Sequence, residues 1–304
     1  MQWSTPNHFA LKEINIDYAR EVGLTGKGIG VAILDSGIGN HVDFRGKRNR
    51  VVAFKDCVNG KTAPYDDSSH GSHVAGIIGS NGVDINNNII GVAPGCNLIA
   101  VKVLDAKGNG KVSHVINGLR WIVANKDKYN IRVVNISVGT PVKSRLDEES
   151  LLIQEVNKVW DAGLVVVVAA GNTGPDIMTI TTPGISRKVI TVGSWDKVKV
   201  RNDKDSAKVY SGRGPTVACI KKPDIVAPGT NIFSCNNTLR GYALKSGTSM
   251  STPIVSGAVA LLLEKEPQLT NKEVKIRLRD TATDLGENWR VMGSGRINIK
   301  KLLE

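Results

Sequence analysis

Short aliphatic runs alternate with longer amphipathic stretches along most of this chain. GVAILDSG (30–37), NLIAVKVLD (97–105), IRVVNISVG (131–139), LVVVVAAGN (164–172) and VITVGS (189–194) are apolar at consecutive positions, and PDIVAPG (223–229) is a shorter example. A strand that is apolar on both sides must be covered on both, which is the condition of a parallel sheet lying between helices. Between these runs, residues 70–80, 113–126, 148–163, 252–266 and 270–282 read as helices. In the last, Thr270 and Glu273 have the spacing of a capping box. The pattern predicts an α/β fold, a three-layer, doubly wound, mostly parallel sheet with helices on both faces.

Composition narrows this further. No repeat, low-complexity tract or linker divides the 304 residues, so residues 1–304 are expected to form a single domain. Only 5% of residues are aromatic against 41% hydrophobic overall, which makes the expected core aliphatic. No run approaches the roughly 18 to 20 apolar residues of a membrane-spanning helix. The first residues lack a basic and then apolar leader, and only about thirty precede Asp35, so no prodomain is evident and the expected location is cytoplasmic. Cys57, Cys96, Cys219 and Cys235 form no CxxC pair and read as free thiols. The formal charge of +12 raises nucleic acid as a partner. Yet the densest basic groups, 45–50 and 197–208, have no interleaved aromatics, so a solvated basic surface is expected and no nucleic-acid binding. Nothing in the sequence fixes an oligomeric state.

Doubly wound sheets collect their chemistry beyond the carboxyl ends of the strands. Asp35 and Asn172 end predicted strands, His70 opens a predicted helix, and Ser249 stands just before another. Each alone reads as a cap, turn or surface residue. Together, the chain order Asp, His, Ser is one known way of assembling a nucleophilic triad.

The blocks VAILDSGI (31–38), HGSHVAG (70–76), AAGN (169–172) and GTSMSTP (247–253) resemble the signatures of the subtilisin-like serine peptidases, the subtilases. Segments from LTGKGIG (24–30) to GSGRINI (293–299) extend the resemblance over nearly the whole chain, and DDSSHGSHVAG (66–76) with AAGNTGPD (169–176) is most similar to the bacterial intracellular AprX-like branch. The resemblance implies a serine endopeptidase acting on polypeptides through an acyl-enzyme. Ser249 would be its nucleophile, His70 its base and Asp35 the group orienting that base. The amide of Asn172 and the N–H of Ser249 would receive the oxyanion, aided by the positive end of the helix that follows, with Pro253 in its first turn. His73 is assigned a structural role, and His8, His41 and His114 carry no motif.

Two segments would pair with substrate as added strands, KGNG (107–110), with Gly108, Asn109 and Gly110, and Ser137, Val138 and Gly139. The main pocket would lie between the latter and Ala169, Ala170 and Gly171, floored by 179–184. No buried acid is evident there, so an apolar or broad preference is expected on the acyl side of the cut. No cofactor is required for the chemistry. Residues 81–90, with Asp84, could supply oxygen ligands to a structural calcium ion. Ser72, Ser251 and Gly212 depart from the usual family residues without removing a reacting group. Two other readings are an inactive binding protein of the same fold and a nucleic-acid-binding protein; intact Asp35, His70, Asn172 and Ser249 weigh against the first.

Overall fold

The structure, a computed structural model, describes residues 6–46, 48–84, 88–142, 144, 147, 149–196 and 207–304. Parts of both basic groups (Lys47 and 197–206), the expected helix start at Glu148, and 85–87 of the expected calcium loop lie outside these residues, as does the side chain of His8.

Seven strands form one sheet: β1 (Gly30–Asp35), β2 (Val51–Asp56), β3 (Asn97–Lys102), β4 (Ile131–Ile136), β5 (Val165–Ala169), β6 (Ile190–Ser194) and β7 (Ile225–Ala227). Their order is β2-β3-β1-β4-β5-β6-β7, and every neighbouring pair is parallel. The predicted strands are present but shorter, because residues such as 36–37 and 103–105 already turn away from the ladder. β2 was not predicted. It is an edge strand whose first five residues are only half-buried, so it lacks the continuous apolar signature of β1, where every residue is buried. An antiparallel hairpin, β8 (Ile232–Cys235) with β9 (Tyr242–Lys245), stands apart from the main sheet.

The helices are α1 (Pro6–Glu13), α2 (Asp17–Glu21), α3 (His70–Gly79), α4 (Val112–Asn125), α5 (Leu151–Asp161), α6 (Ala207–Tyr210), α7 (Thr248–Lys265), α8 (Asn271–Asp280), α9 (Trp289–Met292) and α10 (Ile299–Leu303). Helices α3 and α7 pack together against one face of the sheet, while α4 and α5 pair with each other over the other. The predicted capping box is formed at the start of α8, where Thr270 and Glu273 satisfy each other's backbone N–H groups. Of the 18 residues of α7, 15 are buried, which makes it a core helix with no solvent face to betray its period. At roughly 1.5 to 3 kcal/mol for each fully buried large aliphatic side chain, Ile254, Val255, Val259, Leu261, Leu262 and Leu263 fasten it firmly in place.

The start of α7 corrects the sequence reading. The helix begins at Thr248, not 252, so Ser249 lies inside its first turn and Pro253 is an interior residue.

Strand order reverses direction at β1, since β3 lies on one side of it and β4 on the other. The crevice at such a switch point opens at the carboxyl ends of the strands, and Asp35 is the last residue of β1.

Candidate active site

Asp35 is fully buried, and its carboxylate receives the Ser36 N–H at 2.7 Å. Its two oxygens stand 2.7 and 2.9 Å from Nδ1 of His70. A carboxylate only accepts here, so Nδ1 carries the proton and Nε2 of a neutral His70 keeps a lone pair. Burial opposes charge on this imidazole, but the charge of Asp35 and its hydrogen bond outweigh burial, so the His70 pKa lies above its ordinary value. Asp66 adds to the rise, and Lys245 acts against it.

The end of α3 that carries His70 is tied to β1. Ser36 Oγ accepts the Gly71 N–H at 2.9 Å, and Asp66 accepts the N–H of Ser72 at 2.9 Å, satisfying two donors of the first helical turn. Ser36 Oγ in turn donates to Asp66 at 2.8 Å. Gly37 allows the close approach: its φ is +114°, and a Cβ there would stand 2.0 Å from the Tyr65 carbonyl oxygen.

Ser249 is held from two directions. Its Oγ donates to the Ser137 carbonyl at 2.8 Å, and Ser137 Oγ donates to the Ser249 carbonyl at 3.1 Å. Pro253 explains why that carbonyl is available, because a proline four residues on has no N–H to complete the helical bond. Behind Ser137 the contacts continue into the core, with Asn135 Nδ2 donating to Ser137 Oγ and Ser256 Oγ donating to Asn135 Oδ1. Among the described residues, then, Ser249 and His70 share a cleft without sharing a hydrogen bond. Rotation of one side chain redirects the hydroxyl, and catalytic contacts commonly tighten only when substrate is bound.

Asn172 was predicted, but its support was not. Thr248 donates to Asn172 Oδ1 through both its N–H, at 2.9 Å, and its Oγ1, at 3.0 Å. Because a backbone N–H can only donate, this assigns the amide: Oδ1 is anchored, and Nδ2 is the end left to donate. Thr248 Oγ1 also accepts the Gly171 N–H at 3.1 Å, so one buried hydroxyl fixes two successive residues of the wall. The sequence signal was the residue immediately before the serine, which reads as a mere turn former. Gly247, at φ +142°, precedes it; a Cβ there would press to 3.0 Å from Asn172 Nδ2. Among the described residues no intramolecular partner takes the Ser249 N–H, which belongs to the unpaired first turn of α7.

These groups line a cleft of about 530 Å³. Ser137, Val138 and Gly139 form one wall, Ala169, Gly171 and Asn172 another, with Thr181 between them. Ala170 is fully buried behind that wall, its N–H and carbonyl used by Val192 and Thr181, so it does not reach the cleft as the sequence reading had it. Gly108 lines this cleft and, with Asn109 and Gly110, a neighbouring apolar recess of about 260 Å³ that includes Val112, Val115 and Leu152. Asn109 has its N–H on the Asp105 carboxylate and its carbonyl on the Asp105 N–H, so its backbone is committed to the turn and not free for a substrate strand.

The remaining predicted groups lie elsewhere. His73 is fully buried, and its Nε2 hydrogen bonds the carbonyls of Ile232 and Ala243, both at 3.0 Å, clamping the β8–β9 hairpin to α3. Burial, with the nearby Lys245 charge, pushes its pKa down to about 3. His41 is buried with Nδ1 accepting the Asp43 N–H and Nε2 donating to the Gly241 carbonyl. With Asp43 and Cys235 it gathers three potential metal ligands, a set the sequence reading missed because of the distance between positions 43 and 235. However, Asp43 already accepts from Ser80 Oγ at 2.6 Å, from the Tyr242 hydroxyl and from Cys235 Sγ. Those contacts account for the set as a hydrogen-bonded polar core. Asp84 accepts from the backbone and side-chain amides of Asn88, so the described residues of this loop present one carboxylate turned toward amide donors and no closed oxygen shell for calcium.

The subtilase family model matches residues 26–295. Serine protease AprX of Bacillus subtilis (strain 168) is 42% identical over 297 residues, covering 91% of this chain and 66% of that protein, so the chain spans about two thirds of its length. Subtilisin of Bacillus pumilus is 39% identical over 300 residues, covering 96% of this chain and 97% of that protein. Among solved structures, sphericase superposes with a TM-score of 0.74 at 28% identity, over 90% of this chain and 92% of its own.

Proposed function

The chain belongs to the subtilase family of serine endopeptidases, and from that premise we propose that Asp35, His70, Ser249 and Asn172 are the residues that carry peptide-bond hydrolysis here. The buried Asp35 paired with His70, which lines the cleft that also holds Ser249, is the observation that carries the assignment.

As Ser249 Oγ attacks the peptide carbonyl carbon, His70 Nε2 takes its proton, and Asp35 stabilises the imidazolium that results. The carbonyl oxygen becomes an anion facing Asn172 Nδ2 and the Ser249 N–H. Both donors are fixed before the reaction, so they favour the charged state over the neutral carbonyl. His70 then gives its proton to the amine nitrogen as the C–N bond breaks, leaving an acyl-enzyme on Ser249. Water enters along the same path, loses a proton to His70, and releases the acid. Catalysis in this family needs no cofactor.

The acyl portion lies between Ser137–Gly139 and Ala169–Gly171. Among the described residues no acidic side chain lines that space, and the adjoining recess is largely aliphatic, which supports an apolar or broad preference on the acyl side of the cut. A fluorophosphonate probe followed by mass spectrometry tests the assignment. The expected adduct is on Ser249 and is lost in Ser249→Ala; folded protein that takes no label would instead mark a binding protein of this fold.

A further inference from the structure

Lys245 is the last residue of β9 and lines the catalytic cleft beside His70. It is half-buried, and burial lowers its pKa although Asp66 and Asp35 favour its charge. Among the described residues it makes no ion pair and no side-chain hydrogen bond. The two nearby acids are committed elsewhere. Asp35 is held on His70 and the Ser36 N–H, and Asp66 on Ser36, Ser68, Ser69 and Ser72. The hairpin that presents Lys245 is itself fixed, since His73 grips both of its strands and Ser234 Oγ donates to the His73 carbonyl. A partly desolvated ammonium held on a rigid strand without an anion is a site with one partner missing.

The side of the cut on which it acts follows from the proposed roles, on which this inference rests. The acyl portion fills the space between Ser137–Gly139 and Ala169–Asn172, and the departing amine must reach His70 to receive its proton. Lys245 stands with His70, on the departing side. We propose that Lys245 selects substrates with an acidic side chain just after the scissile bond, its ammonium pairing with the Asp or Glu carboxylate. Among the described residues no acidic side chain lines the cleft to compete, and the chain's charge of +12 draws acidic polypeptides toward it.

The test uses quenched fluorescent peptides with one apolar acyl side and Glu, Gln or Lys at the first departing position. Amidated C-termini exclude a terminal carboxylate as the partner. For the wild-type protein at low salt, kcat/KM for Glu over Gln is expected to be about 3- to 10-fold, falling toward unity as salt screens the pair. K245Q should erase the ratio, and K245E should turn the preference toward Lys, a reversal that loss of structure would not produce. A wild-type Glu/Gln ratio near unity, or one that survives in K245Q, overturns the proposal while cleavage of the Gln peptide still upholds the endopeptidase assignment. If no peptide is cut and Ser249 takes no label, that assignment fails and this one falls with it.

Discussion

Ser249 and Ser137 exchange hydrogen bonds, each hydroxyl donating to the other's main-chain carbonyl, at 2.8 and 3.1 Å. The proposed nucleophile is therefore parked on a carbonyl that an added substrate strand would claim with its own N–H. Peptide binding at Ser137 is expected to displace the Ser249 hydroxyl and free it to turn to His70. A peptide N-methylated at the residue whose carbonyl is attacked should acylate at least about tenfold more slowly. Methylation one residue further along serves as the control. Stopped-flow acylation with the two peptides measures the difference.

As the proposed base, His70 must be neutral to accept a proton, so activity is expected to rise with pH through a midpoint above the ordinary imidazole value of 6.5. Burial and Lys245 hold that midpoint down, and Asp35 with Asp66 lift it past the ordinary value. Asp35→Asn removes the lifting charge, so the midpoint should move toward acid while kcat falls by about 10⁴. The pH profile of kcat/KM for the two proteins reads both effects.

Asn172→Leu removes one of the two donors proposed for the oxyanion. A hydrogen bond to a charged group contributes about 1.5 to 3 kcal/mol, so kcat should drop about 10- to 150-fold with KM little changed. Thr248→Val keeps the donor but loosens its amide and the Gly171 N–H, for an expected loss of about 2- to 10-fold. Steady-state kinetics on one peptide separates kcat from KM.

His73 is held neutral in the folded protein down to about pH 3, whereas in the unfolded chain it takes up a proton from about 6.5 downward. The unfolded state thus binds the extra proton across this interval, and stability falls as pH drops through it, by up to about 1.4 kcal/mol per pH unit. Urea unfolding at pH 7, 5 and 4 should show this slope, and His73→Gln should lack its share of it.

Ser251 occupies a fully buried position where its Oγ finds no hydrogen-bond partner among the described residues. Ser251→Ala removes an unsatisfied hydroxyl and should raise stability by about 1 kcal/mol, or about 2 °C in Tm. Differential scanning calorimetry of the two proteins checks the sign.

Fold class was legible because it follows from a dense signal, and the four proposed catalytic positions were singled out by their motifs and chain order. β1, β5 and β6 are buried throughout and mostly aliphatic, and Asp35, His70, Asn172 and Ser249 fall at or just beyond strand and helix ends in chain order. β2 was hidden because an edge strand needs only half of its surface apolar. The start of α7 was misread because GTSMSTP has no apolar period and Pro253 resembles a first-turn residue. Its interior place makes sense only once Ser137 is seen to take the vacant bond. The support Thr248 gives and the role proposed for Lys245 were invisible for another reason: they depend on Asn172 and His70, which lie far from them in sequence.

The serine rides on α7 and the imidazole on α3, two helices packed against each other with almost no solvent between them and the sheet. Warming can shake the surface turns without parting those two groups. Loss of activity on heating should therefore be abrupt, coinciding with melting of the entire protein, because no smaller rearrangement can carry one of these helices away from the other.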